Sequence, residues 1–279
     1  MDKSRHKCDP PSPGSTPLRG RTVLLTRPQL QSENMAEQLE AAGATVVYCP
    51  TIEVLPPNDW APLDASIDRI SEYDWVIFTS ANGVRFFFDR LVHREIDAAQ
   101  AIAGRIVGAI GPVTARALET VGVSAQVTAS DSTAEGALKA IIDHLGGEQN
   151  VRGLQFLIPR AKLSREILPA GLRQWGARVD AVEAYQTVKP EIARDSVIRL
   201  FNETSIDAVT FTSSSTVSNF AALVGMPDLS NLFGNALAAC IGPITAETAA
   251  NYGLKNIIQP ERYNAQELVQ AIVKSIGQK

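Results

Sequence analysis

The chain matches itself along most of its length, which limits the fold to something built twice from one kind of unit. Val23-Leu-Leu-Thr-Arg27 aligns with Phe156-Leu-Ile-Pro-Arg160, Glu33 with Glu166, Leu39 with Leu172, and Gly43-Ala-Thr-Val46 with Gly176-Ala-Arg-Val179, all at an offset of 133. The same offset joins Asp74-Trp-Val-Ile-Phe-Thr-Ser80 to Asp207-Ala-Val-Thr-Phe-Thr-Ser213. Ile110-Gly-Pro-Val-Thr-Ala115 and Ile241-Gly-Pro-Ile-Thr-Ala246 then match at 131, a slip that loop insertions or deletions in duplicated domains produce. At roughly 150 residues per domain, a length of 279 agrees with two separate cores.

Within each copy, short β-rich apolar runs alternate with amphipathic stretches. Val23 to Thr26, a helical pattern through Leu30, Met35 and Leu39, a stop at Gly43, and Thr45 to Cys49 read as strand, helix, strand. Further strands are expected at Trp75–Thr79, Ile106–Ile110, Ala208–Phe211, Leu237–Ile241 and Lys255–Ile258, with helices over about 83–91 and 112–121. Pro112 and Pro243 stand where a first-turn proline is tolerated. Alternating βα units with continuous apolar strands give an α/β fold: parallel, doubly wound, flavodoxin-like sheets covered on both faces. Two proline-bounded extended segments, 49–57 and 182–190, occupy equivalent places and suit a two-stranded linker between lobes. Periodicity alone leaves open whether the lobes are consecutive or one is inserted into the other.

Composition excludes several classes. Hydrophobic residues at 45% and charged residues at 20% fit a globular chain and not a disordered one. A net charge of -4 gives no general attraction to nucleic acid or anionic lipid. Cys8, Cys49 and Cys240 are odd in number and far apart, and His6, His93 and His144 are scattered, so neither a disulfide framework nor a metal site is expected. Residues 1–19 lack an apolar targeting core and read as a flexible extension; no stretch approaches a membrane span. A monomer in the cytoplasm is expected.

In doubly wound sheets ligands sit beyond the carboxyl ends of the strands, where helix N-termini present unpaired N–H groups. Arg27, the Thr79-Ser80-Ala-Asn82-Gly83 loop, Gly111 and Thr114, Thr212, Ser213 and Ser215, and Gly242 and Thr245 all fall there, together with Arg160, Lys162 and Arg165. Each Ser, Thr or Asn also suits a plain helix cap, but their concentration in both copies fits a cleft between lobes for a ligand with several carboxylates or phosphates. Arg27 and Arg160, as repeat mates, suit either ligand contact or equivalent ion pairs. Tyr185 has Ile52 as its mate, so the shared architecture does not require a tyrosine there. A phenol beside a cleft can serve as donor or acid; the plainer reading is a half-buried hinge tyrosine. There is no G-x-x-x-x-G-K-[ST], no G-x-G-x-x-G after a strand and no G-x-S-x-G elbow, so ATP, dinucleotide and acyl-transfer chemistry have no support.

The order of these pieces resembles the uroporphyrinogen-III synthase family from about Gly20 to Ile276. Thr22 to Pro28 with Gly43-Ala44, Phe78-Thr-Ser-Ala-Asn-Gly83, Ile158-Pro-Arg-Ala161 with Arg165-Glu166, Ala184-Tyr-Gln-Thr-Val188 and Ile241-Gly-Pro-Ile-Thr-Ala246 carry the likeness. It departs at Asn82, where some members have Arg, and at Ile244, where some have a second Thr. The resemblance implies a discontinuous lobe of 20–53 with 190–279 and an inserted lobe of 54–189. It also implies a cofactor-free lyase acting on hydroxymethylbilane, a linear tetrapyrrole with eight carboxylates supplied by the preceding pathway enzyme. Loss of water and inversion of the terminal ring D through a spiro intermediate would give uroporphyrinogen III. By similarity Tyr185 takes the family's tyrosine position, as acid for hydroxyl departure; Thr114, Thr245, Ser80 and Ser213 take the threonines and serines facing the substrate. Two other readings are a two-lobed small-ligand binding protein and a cofactor- or nucleotide-dependent enzyme.

Overall fold

The computed structural model describes residues 16–131, 133–192 and 194–277. In chain order, the first elements are β1 (Thr22–Leu25), α1 (Glu33–Ala41), β2 (Thr45–Tyr48), β3 (Glu53–Leu55), α2 (Ala61–Asp68) and β4 (Trp75–Phe78). Next come α3 (Ala81–His93), α4 (Ala98–Ile102), β5 (Ile106–Ile110), α5 (Pro112–Thr120), β6 (Val127–Ala129), α6 (Ala134–Leu145), β7 (Gln155–Ala161) and α7 (Ile167–Gln174). The chain ends with β8 (Arg178–Val188), α8 (Arg194–Glu203), β9 (Ala208–Phe211), α9 (Ser214–Val224), α10 (Ser230–Phe233), β10 (Leu237–Cys240), α11 (Pro243–Asn251), β11 (Ile257–Ile258) and α12 (Ala265–Ile276).

Two compact units result. The first runs through Glu53 and resumes at Lys189; the second is Val54–Val188. The first unit's sheet has the order β11-β10-β9-β1-β2 and the second's β3-β8-β7-β4-β5-β6. The strand pairs from β11 to β2, and from β7 to β6 and β8, are parallel. Under the repeat register β7 and β8 match β1 and β2, and β4, β5 and β6 match β9, β10 and β11. The two orders are then the same, with β3 added at one edge of the second. Each unit therefore combines the opening strand-helix-strand of one copy with the later elements of the other.

A pair of aspartates sets this register. Asp207 Oδ2 accepts the N–H of Thr22 at 2.8 Å, and its mate Asp74 accepts that of Gln155, the mate of Thr22, at the same distance. Each unit has two apolar clusters, one on each face of its sheet, as continuous apolar strands require. Phe78, Phe86, Phe87 and Phe88 dominate one face of the second unit, and Phe211, Phe220 and Phe233 one face of the first.

Three expectations need correction. Leu18, placed in a flexible extension, is wholly buried among Val23, Leu25 and Leu39, and its N–H bonds the Ala42 carbonyl at 2.8 Å; the ordered body includes 16–19. Residues 1–15, with His6 and Cys8, lie outside the described residues. The last strand is only Ile257–Ile258, because an edge strand bonded on one side needs little length. The helix expected from 83 begins at Ala81, since Ser80 caps it.

Candidate active site

The carboxyl ends of β4, β7 and β8 bring Tyr185 and Ser80 together in the second unit. Ser80 leaves β4 extended and caps α3, its Oγ accepting the Gly83 N–H at 3.0 Å. The same Oγ lies 2.9 Å from the Tyr185 hydroxyl. Tyr185 is only 7% exposed; its ring runs parallel to Phe86 within 11°, centroids 5.8 Å apart, so the core fixes the phenol. Gly83 makes this approach possible. A Cβ there would stand 3.0 Å from the Pro159 carbonyl oxygen at the end of β7.

Charge gathers beside this pair. Arg160 binds Glu166 at 2.5 Å through Nη2, while its Nη1 is buried without a partner. Glu183, the register neighbour of Arg160 on β8, has a buried Oε1 with none, as has Arg85 Nε, whose guanidinium lies 4.4 Å over the Phe86 ring. Buried polar groups normally find partners, so these three unpaired atoms are exceptions within the second unit.

The Gly-Pro turns supply a second kind of site, one in each unit. Gly111 and Gly242 precede α5 and α11, whose first residue is proline, and neither glycine offers a side-chain cap. Thr114 and Thr245 are the third residues of these helices, 3% and 4% exposed. Neither hydroxyl has a hydrogen bond among the described residues. Neither threonine oxygen is among the buried unpartnered atoms, so each hydroxyl stays open to solvent in a first turn that no side chain caps, where free N–H groups and the helix dipole favour negative charge. Gly111 holds φ +80°, which favours glycine; Gly242 is extended, and a Cβ there would press on the Tyr263 ring at 3.3 Å.

In the first unit Ser213 caps α9 in a closed box: its Oγ accepts the Thr216 N–H and its N–H bonds Thr216 Oγ1 at 3.2 Å. Ser215 Oγ stands 2.9 Å from Ser213 Oγ, so these hydroxyls satisfy each other. Thr212 and Thr79 are part-buried at the ends of β9 and β4. Asn82 is part-buried in the first turn of α3. Arg27 is exposed and donates to Gln31 at 3.2 Å, so its pairing is not the Arg160–Glu166 ion pair; the repeat mates are not equivalent. Lys162 and Arg165 are exposed on the loop after β7. Cys49 and Cys240 are buried, and desolvation pushes their thiols up to about 11 and about 12, which removes them as nucleophiles.

Arg85, Phe86 and Glu183 escaped sequence reading. A helical arginine reads as solvated and a phenylalanine as core; only the strand pairing brings Glu183 beside Arg160. Two cavities of about 270 and 280 Å³ lie at the opposite, amino ends of the strands, near Gly122 and Gly253. These glycines are repeat mates, so the cavities belong to the duplicated fold.

The geometry is that of a two-unit parallel-sheet α/β protein with a core-locked phenol and two helix starts that no side chain caps. The model of the family described as "Uroporphyrinogen-III synthase HemD" matches residues 33–270. A uroporphyrinogen-III synthase from Synechococcus elongatus is 34% identical over 264 residues, covering 92% of this chain and 96% of that one. One from Chlorobaculum parvum is 28% identical, covering 92% and 99%. In fold, a mutant uroporphyrinogen III synthase from Thermus thermophilus matches with a TM-score of 0.58 at 18% identity, covering 91% and 98%. The chain belongs to the uroporphyrinogen-III synthase family, and so is a lyase of porphyrin biosynthesis and not a small-ligand binding protein. No helix among the described residues is long and apolar enough to cross a membrane.

Proposed function

We propose that the chain converts hydroxymethylbilane into uroporphyrinogen III, with loss of water and inversion of ring D. The observation that carries this reading is the pair of repeat-mate threonines, Thr114 and Thr245, packed at uncapped helix starts with hydroxyls that no protein group engages. A substrate with eight carboxylates meets such donors with charge-assisted hydrogen bonds. Part-buried Thr79, Thr212 and Asn82, the free Nη1 of Arg160, and exposed Arg27 and Arg165 extend the same capacity. Part-buried Ser213 and exposed Ser215, paired with each other, can each still accept or donate one further bond.

Tyr185 is the acid in this reading. Its proton passes to the departing hydroxyl, water leaves, and an azafulvene-like cation forms on the terminal ring. The phenolate left behind is held by the Ser80 hydroxyl, which itself accepts the Gly83 N–H at the positive end of α3. The proton released when the closed ring regains aromaticity restores the phenol. Holding the flexible chain folded supplies much of the remaining rate gain, by placing the reacting carbons in near-attack geometry.

Incubation with enzymatically made hydroxymethylbilane, followed by chromatographic separation of the type I and type III isomers, tests the proposal. Type III is expected. Type I alone, accumulating at the rate seen in buffer, overturns it.

A further inference from the structure

Exposed apolar side chains are ordinary when they are scattered singly. Among the described residues eight large ones are exposed, and four of these fall into two repeat pairs. Leu30 and Leu163 are 66% and 87% exposed and are repeat mates at the offset of 133; Val113 and Ile244, 67% and 73% exposed, are mates at 131. All four follow the carboxyl end of a parallel strand: Leu30 after β1, Leu163 after β7, Val113 after β5 and Ile244 after β10. By contrast, Val92, 72% exposed at the far end of α3, matches Gly225, so it has no apolar mate.

Val113 and Ile244 also immediately precede Thr114 and Thr245. Each unit thus sets an apolar side chain in water next to a threonine whose hydroxyl no protein group engages. One ligand chemistry satisfies both at once: flat, carbon-rich rings bearing carboxylate arms. We infer that Leu30, Leu163, Val113 and Ile244 are contacts for the faces of the substrate's pyrrole rings, while the neighbouring donors take its carboxylates. This inference rests on the reading given above as the proposed function. Apolar burial is non-directional, so these residues hold the rings without dictating which atom reacts, and they act on substrate and transition state alike.

The test compares four proteins by steady-state kinetics: wild type, Leu30→Ser/Leu163→Ser, Val113→Ser/Ile244→Ser, and Val92→Ser as control. Because the substituted side chains pack on little, Tm should stay at the wild-type value. Each double variant should raise KM about tenfold with kcat within about twofold, the pattern of lost uniform binding. Val92→Ser should match wild type in both. An unchanged KM in both double variants overturns the inference. So does an unchanged KM accompanied by a lower sedimentation coefficient, which would make these residues a self-association face. Failure of wild type to form the type III isomer overturns the underlying reading, and this inference with it; a working wild type with unshifted variants overturns this inference alone.

Discussion

Ser80 and Ser213 occupy the same place in the two copies, each capping the helix after its strand, yet they are wired differently. In the first unit the third helical residue is Thr216, whose hydroxyl completes a reciprocal box, and Ser215 occupies the remaining side of Ser213. In the second unit that third residue is Gly83, which returns only its N–H, and Ser80 turns its other bond to Tyr185. The junction mate of Tyr185 is Ile52, which has no hydroxyl to offer. One helix start is closed on itself and the other is open to a phenol. Two small differences, glycine for threonine and tyrosine for isoleucine, are enough to place a phenol at one helix start and not at its mate.

The largest effect should follow from removing the Tyr185 hydroxyl, the acid of the proposed function. Tyr185→Phe keeps the ring stacked on Phe86 and loses only the hydroxyl, so turnover should fall roughly 10- to 1,000-fold with little change in Tm. Stopped assays on hydroxymethylbilane with isomer analysis measure it. Full turnover and full type III fidelity in this variant would break the comparison at its root. Adding Ile52→Tyr to it should rescue nothing, because Ser213 is already occupied.

Where the units are alike, the effects should be alike. Thr114→Val and Thr245→Val each remove a hydroxyl that has no partner in the protein, so thermal stability should change by less than about 0.5 kcal/mol. Substrate binding should weaken about tenfold for each, the scale of one hydrogen bond to a charged group. Unequal KM shifts would show that only one Gly-Pro turn receives a carboxylate. A large loss of Tm would show that the hydroxyls serve the fold.

Where the units differ, the serines should separate. Ser80→Ala removes the phenolate's partner, and kcat should fall about fivefold, one net hydrogen bond's worth. Ser213→Ala should act chiefly on stability, costing about 1 kcal/mol as a lost cap, with a smaller effect on kcat than Ser80→Ala. Both variants lose a cap, so denaturant titration should show similar stability losses and the kcat values separate them. Equal kinetic losses would mean that both serines meet substrate directly.

This asymmetry sets how much was readable beforehand. The strands, the glycine stops and Pro112 and Pro243 as first helical residues follow from local rules, and the repeat states each of them twice. Tyr185 stands out in the sequence because the repeat does not require it. Its partner could not be read from spacing: Ser80 lies 105 residues away, and only the β4-β7-β8 order brings them together. Of the two readings of Arg27 and Arg160, equivalent ion pairs are ruled out for a similar reason. Glu33 and Glu166 are mates in sequence, but only Glu166 meets its arginine, because β7 continues through Arg160 to Ala161 whereas β1 ends at Leu25.

The smallest effect concerns stability away from the site, where the same helix pair is fastened in two ways. In the second unit Asp64 on α2 takes a two-pronged ion pair from Arg90 on α3, at 2.8 and 2.5 Å. Their mates in the first unit, Val197 on α8 and Leu223 on α9, belong instead to one apolar cluster. The Arg90 hydrogen bond holds the Asp64 carboxyl below its ordinary range. A carboxylate depressed in the folded state stabilises above its unfolded value, near pH 4, and loses that contribution as pH falls through the folded value. Asp64→Asn should therefore cost about 1 kcal/mol near neutral pH, and the gap from wild type should close in acid. Val197→Ala should cost more, and by an amount that does not track the Asp64 titration, because apolar packing carries no proton. A gap for Asp64→Asn that stays constant from pH 7 to pH 3 would mean the two units are fastened by packing alone.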